Sequence, residues 1–243
     1  MKTIIQYIQY SLVMLCMVLI PVACTNDVPN PGDQQGEFVL GIAAADIHVD
    51  IQTKAAIQGV DVSKFYVSLD EAEGTHLIVS KQYGTMTSAD CILPVANGYR
   101  LSVESCSEAD ATTLNNGFGA YRFAGEATFN IAANEKTSVA VNCEMLNAGL
   151  QIEFDQSFTT KFPIHAVTTQ DARAIVFNSK NQENIAYYDI NGDNLEMAVK
   201  ITGSTGGWDG RLDATKNITL QKGKVIVVKL TYTESNGVRM LNV

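Results

Sequence analysis

Apolar and polar residues alternate along most of the chain after Glu37, with a period of two residues. This alternation is typical of antiparallel β-strands that have one face on a hydrophobic core and the other face in water. It is clearest in residues 65–69, 99–103, 139–143, 150–155 and 195–202. Turn signals fall between such segments, at Glu73-Gly74, Asn97-Gly98, Asn191-Gly192, Lys222-Gly223 and Asn236-Gly237. Since no helical pattern exceeds about three turns, the sequence predicts an all-β protein of the β-sandwich type.

Two similar hairpin patterns divide the chain. Residues 129–141 and residues 218–230 each combine an apolar pair, a tight polar turn and a longer apolar strand. Each pattern closes a block of about 100 residues, which is an ordinary size for one domain. We therefore expect two tandem antiparallel β-sandwich domains, residues 37–146 and residues 147–243. A single fused sandwich is the alternative that the sequence leaves open.

The first 23 residues have the pattern of an export signal. Lys2 supplies a positive end, residues 12–22 an apolar run, and Ala23 a small residue before Cys24. A helix of that run would be about 16 Å long, roughly half of a bilayer core, so it is too short to span a membrane. The pattern predicts a bacterial lipoprotein in which residues 1–23 are removed and Cys24 is acylated. The alternative is an ordinary secretory signal with an incidental cysteine.

Residues 24–36 are polar and contain two prolines and a Pro-Gly turn signal, which predicts a flexible tether. Two or more acyl chains on Cys24 would anchor the protein stably, and we expect the anchor to lie in the outer membrane. Asn26 and Asp27 resemble an address to the outer face of that membrane in some diderm bacteria, so we expect exposure at the cell surface. Plain linker composition explains these two residues equally well.

Charge and motif content exclude several functions. The formal net charge of −9 argues against nucleic acid as a partner, because phosphate binding needs a basic surface. There is no Gly-x-Ser-x-Gly motif and no cysteine with an evident histidine partner. His48, His76 and His165 do not repeat at metal-ligand spacing. We therefore predict no enzymatic activity, no metal site and no cofactor.

Three cysteines follow Cys24, namely Cys91, Cys106 and Cys143. In an oxidising compartment one pair could form a disulfide and leave one thiol over. Alternatively all three are buried and inert, since free cysteine packs like a small apolar residue. Cys143 ends an alternating strand and is expected to point inward.

Recognition in β-sandwich proteins commonly uses loops at the ends of the sheets. The two longest connecting segments are residues 105–122 and residues 203–217. The second contains Trp208, the only tryptophan, within a Gly-rich polar stretch. Trp208 is the candidate ligand contact, because an aromatic ring on a loop can stack on a sugar or a partner. In the alternative, its ring folds back over the end of the sandwich.

Residues 93–101, Leu-Pro-Val-Ala-Asn-Gly-Tyr-Arg-Leu, carry a further signature. Pro94 fixes φ and Gly98 takes a backbone state closed to larger residues, which sets a turn before a strand. Such turns recur in transthyretin-like and fimbrillin-like sandwiches. The other matching segments, in chain order, are Thr53-Lys54-Ala55, Phe65-Tyr66-Val67, Tyr121 with Gly125, Val141-Asn142-Cys143, Asn147-Ala148, residues 150–155 and residues 185–188. Together they resemble the lipoprotein family labelled domain of unknown function 4493, over nearly all of residues 36–243.

That resemblance implies a surface lipoprotein similar to fimbrillin-like adhesins, and it carries over no catalytic residue. We expect a non-enzymatic, lipid-anchored protein of adhesion or fimbrial-type assembly, with a fimbrial subunit, a host protein or a glycan as partner. The alternative is a glycan-binding surface lipoprotein of a polysaccharide uptake system. Several exposed aromatic residues on one sheet face would favour glycan binding, whereas a long unpaired strand edge would favour assembly.

Overall fold

The computed structural model describes residues 35–44, 48–50, 60–71, 77–206, 210–235 and 238–243. The strands up to Met145 are β1 (Gln35–Ala44), β2 (His48–Asp50), β3 (Tyr66–Asp70), β4 (Leu77–Gln82), β5 (Ile92–Pro94), β6 (Ala96–Glu104), β7 (Phe123–Ile131) and β8 (Lys136–Met145). The later strands are β9 (Asn147–Phe154), β10 (Ile164–Thr169), β11 (Val176–Phe177), β12 (Ala186–Asp189), β13 (Asn194–Ser204), β14 (Arg211–Gln221), β15 (Lys224–Ser235) and β16 (Val238–Asn242). The α-helices are α1 (Glu108–Thr113) and α2 (Gln156–Lys161).

The predicted all-β fold class is confirmed. One sheet has the strand order β4-β3-β6-β7-β8-β1-β5, a second has β11-β10-β13-β14, and a third has β12-β9-β15-β16 with β2 also beside β15. Most neighbours are antiparallel, but β1 runs parallel to β8, and β15 runs parallel to β9 and to β2. The alternation of residues does not distinguish the two directions, because side chains alternate between faces in parallel and antiparallel strands alike.

The buried side chains form two hydrophobic clusters, the first mainly from residues before Leu146 and the second from residues after it. The largest fully buried residues of the first cluster are Phe38, Phe65, Leu69, Leu93, Leu101 and Phe123, and those of the second are Leu150, Ile152, Phe158, Phe177, Ile201 and Leu220. Full burial of such a side chain stabilises the fold by about 1.5–3 kcal/mol. We call residues 35–146 the first half and residues 147–243 the second half.

The two halves share side chains at their junction. Tyr187 and Val225 of the second half belong to the first cluster, and Phe118 of the first half packs against the second. The separate domains predicted for residues 37–146 and residues 147–243 therefore remain a prediction about independent folding.

The directions of the strands place the start of β1 and the end of β15 at opposite ends of the molecule. The strand β8 runs toward the junction and β9 runs away from it, with Leu146 between them. Because β1 is parallel to β8, its first residue, Gln35, lies at the end of the first half remote from the junction. Because β15 is parallel to β9, its last residues lie with Phe154 at the opposite end of the second half. We call this second region the distal end.

Three predicted turn signals have roles other than a hairpin. Gly98 lies inside β6, where a φ of 79° accompanies a shift in the pairing register with β7. Asn191-Gly192 connects β12 to β13, and Lys222-Gly223 connects β14 to β15, but each of these turns joins strands of different sheets. Sequence identifies such turns by residue type, and the type does not specify which strands pair.

Candidate functional site

The first predicted recognition segment, residues 105–122, is packed at the junction. It contains α1, which begins where Ser107 Oγ accepts a hydrogen bond from Asp110 N at 3.1 Å. After α1, the Phe118 ring meets the Phe177 ring edge to face, with 5.5 Å between ring centroids. The segment is therefore helical in part and packed against the second core, and its role in recognition remains a prediction.

Arg173 holds the two halves together. Its guanidinium donates hydrogen bonds to the carbonyl oxygens of Thr112 and Gly117 at 3.3 Å each, and to that of Tyr187 at 2.7 Å. The guanidinium carbon also lies 4.1 Å from the centre of the Tyr188 ring. One side chain thus joins carbonyl oxygens from both halves, which makes this region structural.

Asn147 fixes the same junction with its buried amide. Its Oδ1 accepts from Arg122 N at 3.0 Å, and its Nδ2 donates to the Ala120 oxygen at 2.8 Å. Its backbone oxygen accepts from Gly223 N at 2.9 Å. The side-chain amide is 1% exposed and bonded on both sides, as a buried polar group must be to avoid a large desolvation cost.

The second predicted segment, residues 203–217, is mostly strand. The strand β13 continues to Ser204 and β14 begins at Arg211, so the connecting tip is short, and Thr205 N donates to Gly210 O at 2.9 Å. Trp208 lies in this tip, outside the described residues, and its role as a ligand contact remains a prediction. Ser204, the last residue of β13, lies at the distal end, since it pairs with Ile164 at the start of β10.

The helix α2 follows β9 directly at the distal end. Asp155 Oδ1 caps it by accepting from Ser157 N at 2.9 Å and from Ser157 Oγ at 2.7 Å. Asp155 Oδ2 lies 3.3 Å from Lys229 Nζ. The hydrogen bonds from Ser157, together with Lys229, hold the pKa of the Asp155 carboxyl below its usual value, so this carboxylate is ionised at neutral pH.

Tyr232 of β15 lies beside α2 in a fixed orientation. Its ring meets the Phe162 ring edge to face at a centroid distance of 5.3 Å, and Lys161 Nζ lies 5.3 Å from its centre. Its hydroxyl donates to Glu234 Oε2 at 3.0 Å, and Lys161 Nζ donates to the same oxygen at 3.1 Å. The ring is therefore held by both apolar and polar contacts while it stays half-buried.

These groups line a shallow, open depression of about 610 Å³ between α2 and β15. The lining residues are Asp155, Gln156, Ser157, Thr160, Lys161, Tyr232 and Glu234. Sequence reasoning missed this site, because α2 and the end of β15 lie far apart in the chain and meet only through the parallel pairing of β9 with β15.

The strand β14 forms one edge of its sheet. It pairs with β13 in unbroken register from Asn194–Gln221 to Ser204–Arg211. On its other side, none of the described strands pairs with it. Its backbone N–H and C=O groups on that side are therefore available for a further strand.

The family match covers nearly all of the chain that the structure describes. The model of the family described as Domain of unknown function (DUF4493) matches residues 34–239. This chain belongs to the DUF4493 family. No curated protein matches it.

Three solved structures that resemble part of this chain come from Parabacteroides and Bacteroides species. One is a fimbrial assembly protein from Parabacteroides distasonis, with 12% identity, coverage of 86% of this chain and 94% of the other, and a TM-score of 0.41. A second, from Bacteroides eggerthii and provisionally named a cell adhesion protein, has 12% identity, coverage of 86% and 88%, and a TM-score of 0.42. A third, from Bacteroides thetaiotaomicron and provisionally named a polysaccharide binding protein (DUF1812), has 9% identity, coverage of 83% and 93%, and a TM-score of 0.44. At these values the likeness transfers no ligand and no role.

None of the three cysteines that the structure describes, Cys91, Cys106 and Cys143, forms a disulfide. Cys91 and Cys143 are buried and Cys106 is half-buried. Burial raises the pKa of Cys143 to about 11, and burial also raises that of Cys106. A thiol that stays protonated at neutral pH is a poor nucleophile and a poor metal ligand.

His165 of the DUF4493 chain packs against aromatic rings. Its ring centroid lies 4.4 Å from that of Phe154, and its Nδ1 is 2.7 Å from the Phe162 oxygen. Among the residues that the structure describes, no group of three His, Cys, Asp or Glu side chains is placed to hold a metal ion. Within the same residues, no helix has the length and apolar character to cross a membrane. The expected signal in residues 1–23 and the acylated Cys24 lie outside the described part of the chain.

Proposed function

We propose that this protein is a non-enzymatic surface protein of adhesion or fimbrial-type assembly. The observation that carries the proposal is the unbroken outer edge of β14, which no other described strand covers. A partner strand added there would gain main-chain hydrogen bonds along the length of the second half. Lys216, near the middle of this edge, discourages indiscriminate pairing, as charged residues do on exposed edges.

Anchoring at the outer membrane through a lipid on Cys24 completes the proposal. Gln35, the first described residue, lies at the end of the molecule opposite the distal end. A chain tethered before Gln35 would leave the second half and its β14 edge free for contact. Mass spectrometry of membrane-extracted protein should find lipid on Cys24, and Cys24→Ser should release the protein from the membrane. An unmodified N-terminus elsewhere would contradict this anchor.

Proline substitution tests the β14 edge. Neighbouring residues of a strand direct their N–H groups to opposite sides, so one of Thr215→Pro and Lys216→Pro removes an outward group only. That variant should keep the stability of the wild type and should lose attachment of the bacteria to a host-cell layer. Thr215→Val is the matched control, because it keeps the N–H group. Unchanged attachment by the stable proline variant would show that the edge has no role.

Trp208 supplies a second, separate test of partner contact. If its ring binds a partner, Trp208→Ala should weaken that binding by about 1–3 kcal/mol and leave the free energy of unfolding nearly unchanged. A loss of several kcal/mol in stability would instead identify the ring as a cover over the core.

The alternative, a glycan-binding lipoprotein of an uptake system, calls for a platform of aromatic rings on a sheet face. Tyr66, at 48% exposure, is the one aromatic residue among the described side chains that is exposed. A pull-down with outer-membrane transport components, set against the attachment assay, separates this alternative from adhesion.

A further inference from the structure

The depression at the distal end has internally paired charges. Glu234 accepts from both Lys161 and Tyr232, and Asp155 is bonded to Ser157 and Lys229. An ionic ligand would have to break these pairs before it could use either charge. Two carboxylates and one ammonium group line the depression, so its local charge also disfavours anions.

The hydrogen-bonding groups that remain are neutral. Gln156 and Thr160 are exposed and lie one turn apart on the same side of α2. Neither side chain has a hydrogen bond to any other residue that the structure describes. An amide and a hydroxyl without internal partners can each donate to and accept from a ligand.

The Tyr232 ring lies beside these two groups. Its position is set by Phe162, by Lys161 Nζ at 5.3 Å from the ring centre and by its hydroxyl bond to Glu234. Little freedom of the tyrosine side chain would therefore be lost when a ligand packs on the ring beside Lys161. A fixed aromatic ring next to neutral donors and acceptors matches a molecule that carries both C–H faces and hydroxyl groups.

We propose that the depression between α2 and β15 binds a neutral oligosaccharide, with Tyr232 against a sugar face and with Gln156 and Thr160 bonded to sugar hydroxyls. The depression is shallow and open, so it fits a stretch of a longer chain better than an isolated small molecule. This site is separate from the β14 edge, and a failure at one leaves the other standing.

Calorimetric titration of the full-length chain tests the site. The probes are cellohexaose, mannohexaose and a galactohexaose, with hexagalacturonate as the acidic counterpart. At least one neutral hexasaccharide should bind, and hexagalacturonate should bind at least about tenfold more weakly. Tyr232→Ala should weaken the neutral complex by about tenfold or more, the loss that removal of a contact aromatic produces.

Two further variants keep the test decisive. The double variant Gln156→Ala with Thr160→Ala changes exposed side chains only, so it should fold normally and still weaken binding severalfold. Tyr66→Ala removes an exposed ring of the first half and should leave binding unchanged. The proposal is overturned if none of the neutral hexasaccharides binds, if hexagalacturonate binds as tightly as they do, or if Tyr66→Ala weakens binding as much as Tyr232→Ala.

Discussion

The junction and the distal end each place a cation over a tyrosine ring, but in different surroundings. At the junction, Arg173 lies 4.1 Å from the centre of Tyr188, a ring that is 4% exposed. At the distal end, Lys161 lies 5.3 Å from the centre of Tyr232, which is half-buried. The junction cation also donates to carbonyl oxygens of both halves, whereas the distal cation donates to the single carboxylate of Glu234.

This difference shows how burial and the kind of cation decide what a cation beside a tyrosine ring contributes. A planar guanidinium can satisfy several buried carbonyl oxygens at once, and those oxygens lose free energy if it is removed. An exposed ammonium–carboxylate pair contributes only about 0–1 kcal/mol, because water replaces it readily. The junction pair therefore stabilises the fold, and the distal pair orders a surface at little cost.

Replacing the two tyrosines by alanine should give the largest difference in the free energy of unfolding between the junction and the distal end. Tyr188→Ala should lower the free energy of unfolding by about 3–5 kcal/mol, because it opens a cavity in the second core and removes the ring under Arg173. Tyr232→Ala should lower it by about 1 kcal/mol, the value of one aromatic edge contact. Urea unfolding followed by circular dichroism measures both. Equal losses would mean that the distal ring is also a core residue.

Truncation of the two cations should give the next largest difference. Arg173→Ala should cost about 2–3 kcal/mol, since the oxygens of Thr112, Gly117 and Tyr187 lose their donor. Lys161→Ala should cost less than about 1 kcal/mol.

Arg173→Lys is the matched variant for the junction. It keeps the charge but cannot reach three oxygens with a single ammonium group, so its stability should lie between those of the wild type and Arg173→Ala. A Lys variant as stable as the wild type would show that charge alone, and not the planar group, holds the junction.

The two predicted recognition segments show what the sequence can and cannot indicate. Residues 105–122 are rich in small polar residues, and they are predicted as a recognition segment on that basis. Their packing depends on Phe118 meeting Phe177, and on Arg173 reaching their carbonyl oxygens. A two-residue period of apolar residues indicates strands and their buried faces. It does not indicate which side chains of the two halves contact each other.

Residues 203–217 are predicted as a connecting segment, but most of them lie in β13 and β14, for a different reason. Leu212, Ala214, Ile218 and Leu220 alternate, but Lys216 interrupts the series. An edge strand tolerates such a residue, because only one of its sides is paired and its faces are partly in water. The sequence predicts residues 99–103 and residues 139–143 as strands. They lie inside a sheet, and a charged residue does not replace any apolar residue of their buried face.

The distal depression could not be predicted from alternation. Its residues come from α2 and from the end of β15, and they meet because β9 and β15 run in the same direction. A period of two indicates a strand and its buried face, but not the neighbour or its direction. The cap at Asp155 is a local signal, with Ser157 two residues on, and it is the one part of the site that a sequence can suggest.

The pH dependence of stability gives the smallest and most specific contrast. Hydrogen bonds from Ser157, followed by Lys229, lower the pKa of Asp155 in the folded protein. A lowered pKa means that the ionised form is favoured by folding, so this stabilisation is present above the ordinary pKa near 4 and is lost as the pH falls through the lowered value. Asp155→Asn keeps a capping oxygen and removes the charge. The wild type should therefore be more stable than Asp155→Asn at pH 7. In urea titrations the difference should shrink as the pH falls below about 4, and it should vanish below the lowered pKa of Asp155.

The junction supplies the control for this measurement. The three hydrogen bonds from Arg173 go to carbonyl oxygens, which do not titrate, so the loss in Arg173→Ala should persist over the same pH range. A difference between the wild type and Asp155→Asn that grows as the pH falls would contradict the assigned direction of the pKa shift. It would then follow that Asp155 is stabilised in its protonated form, and that the cap at α2 is held by the neutral carboxyl.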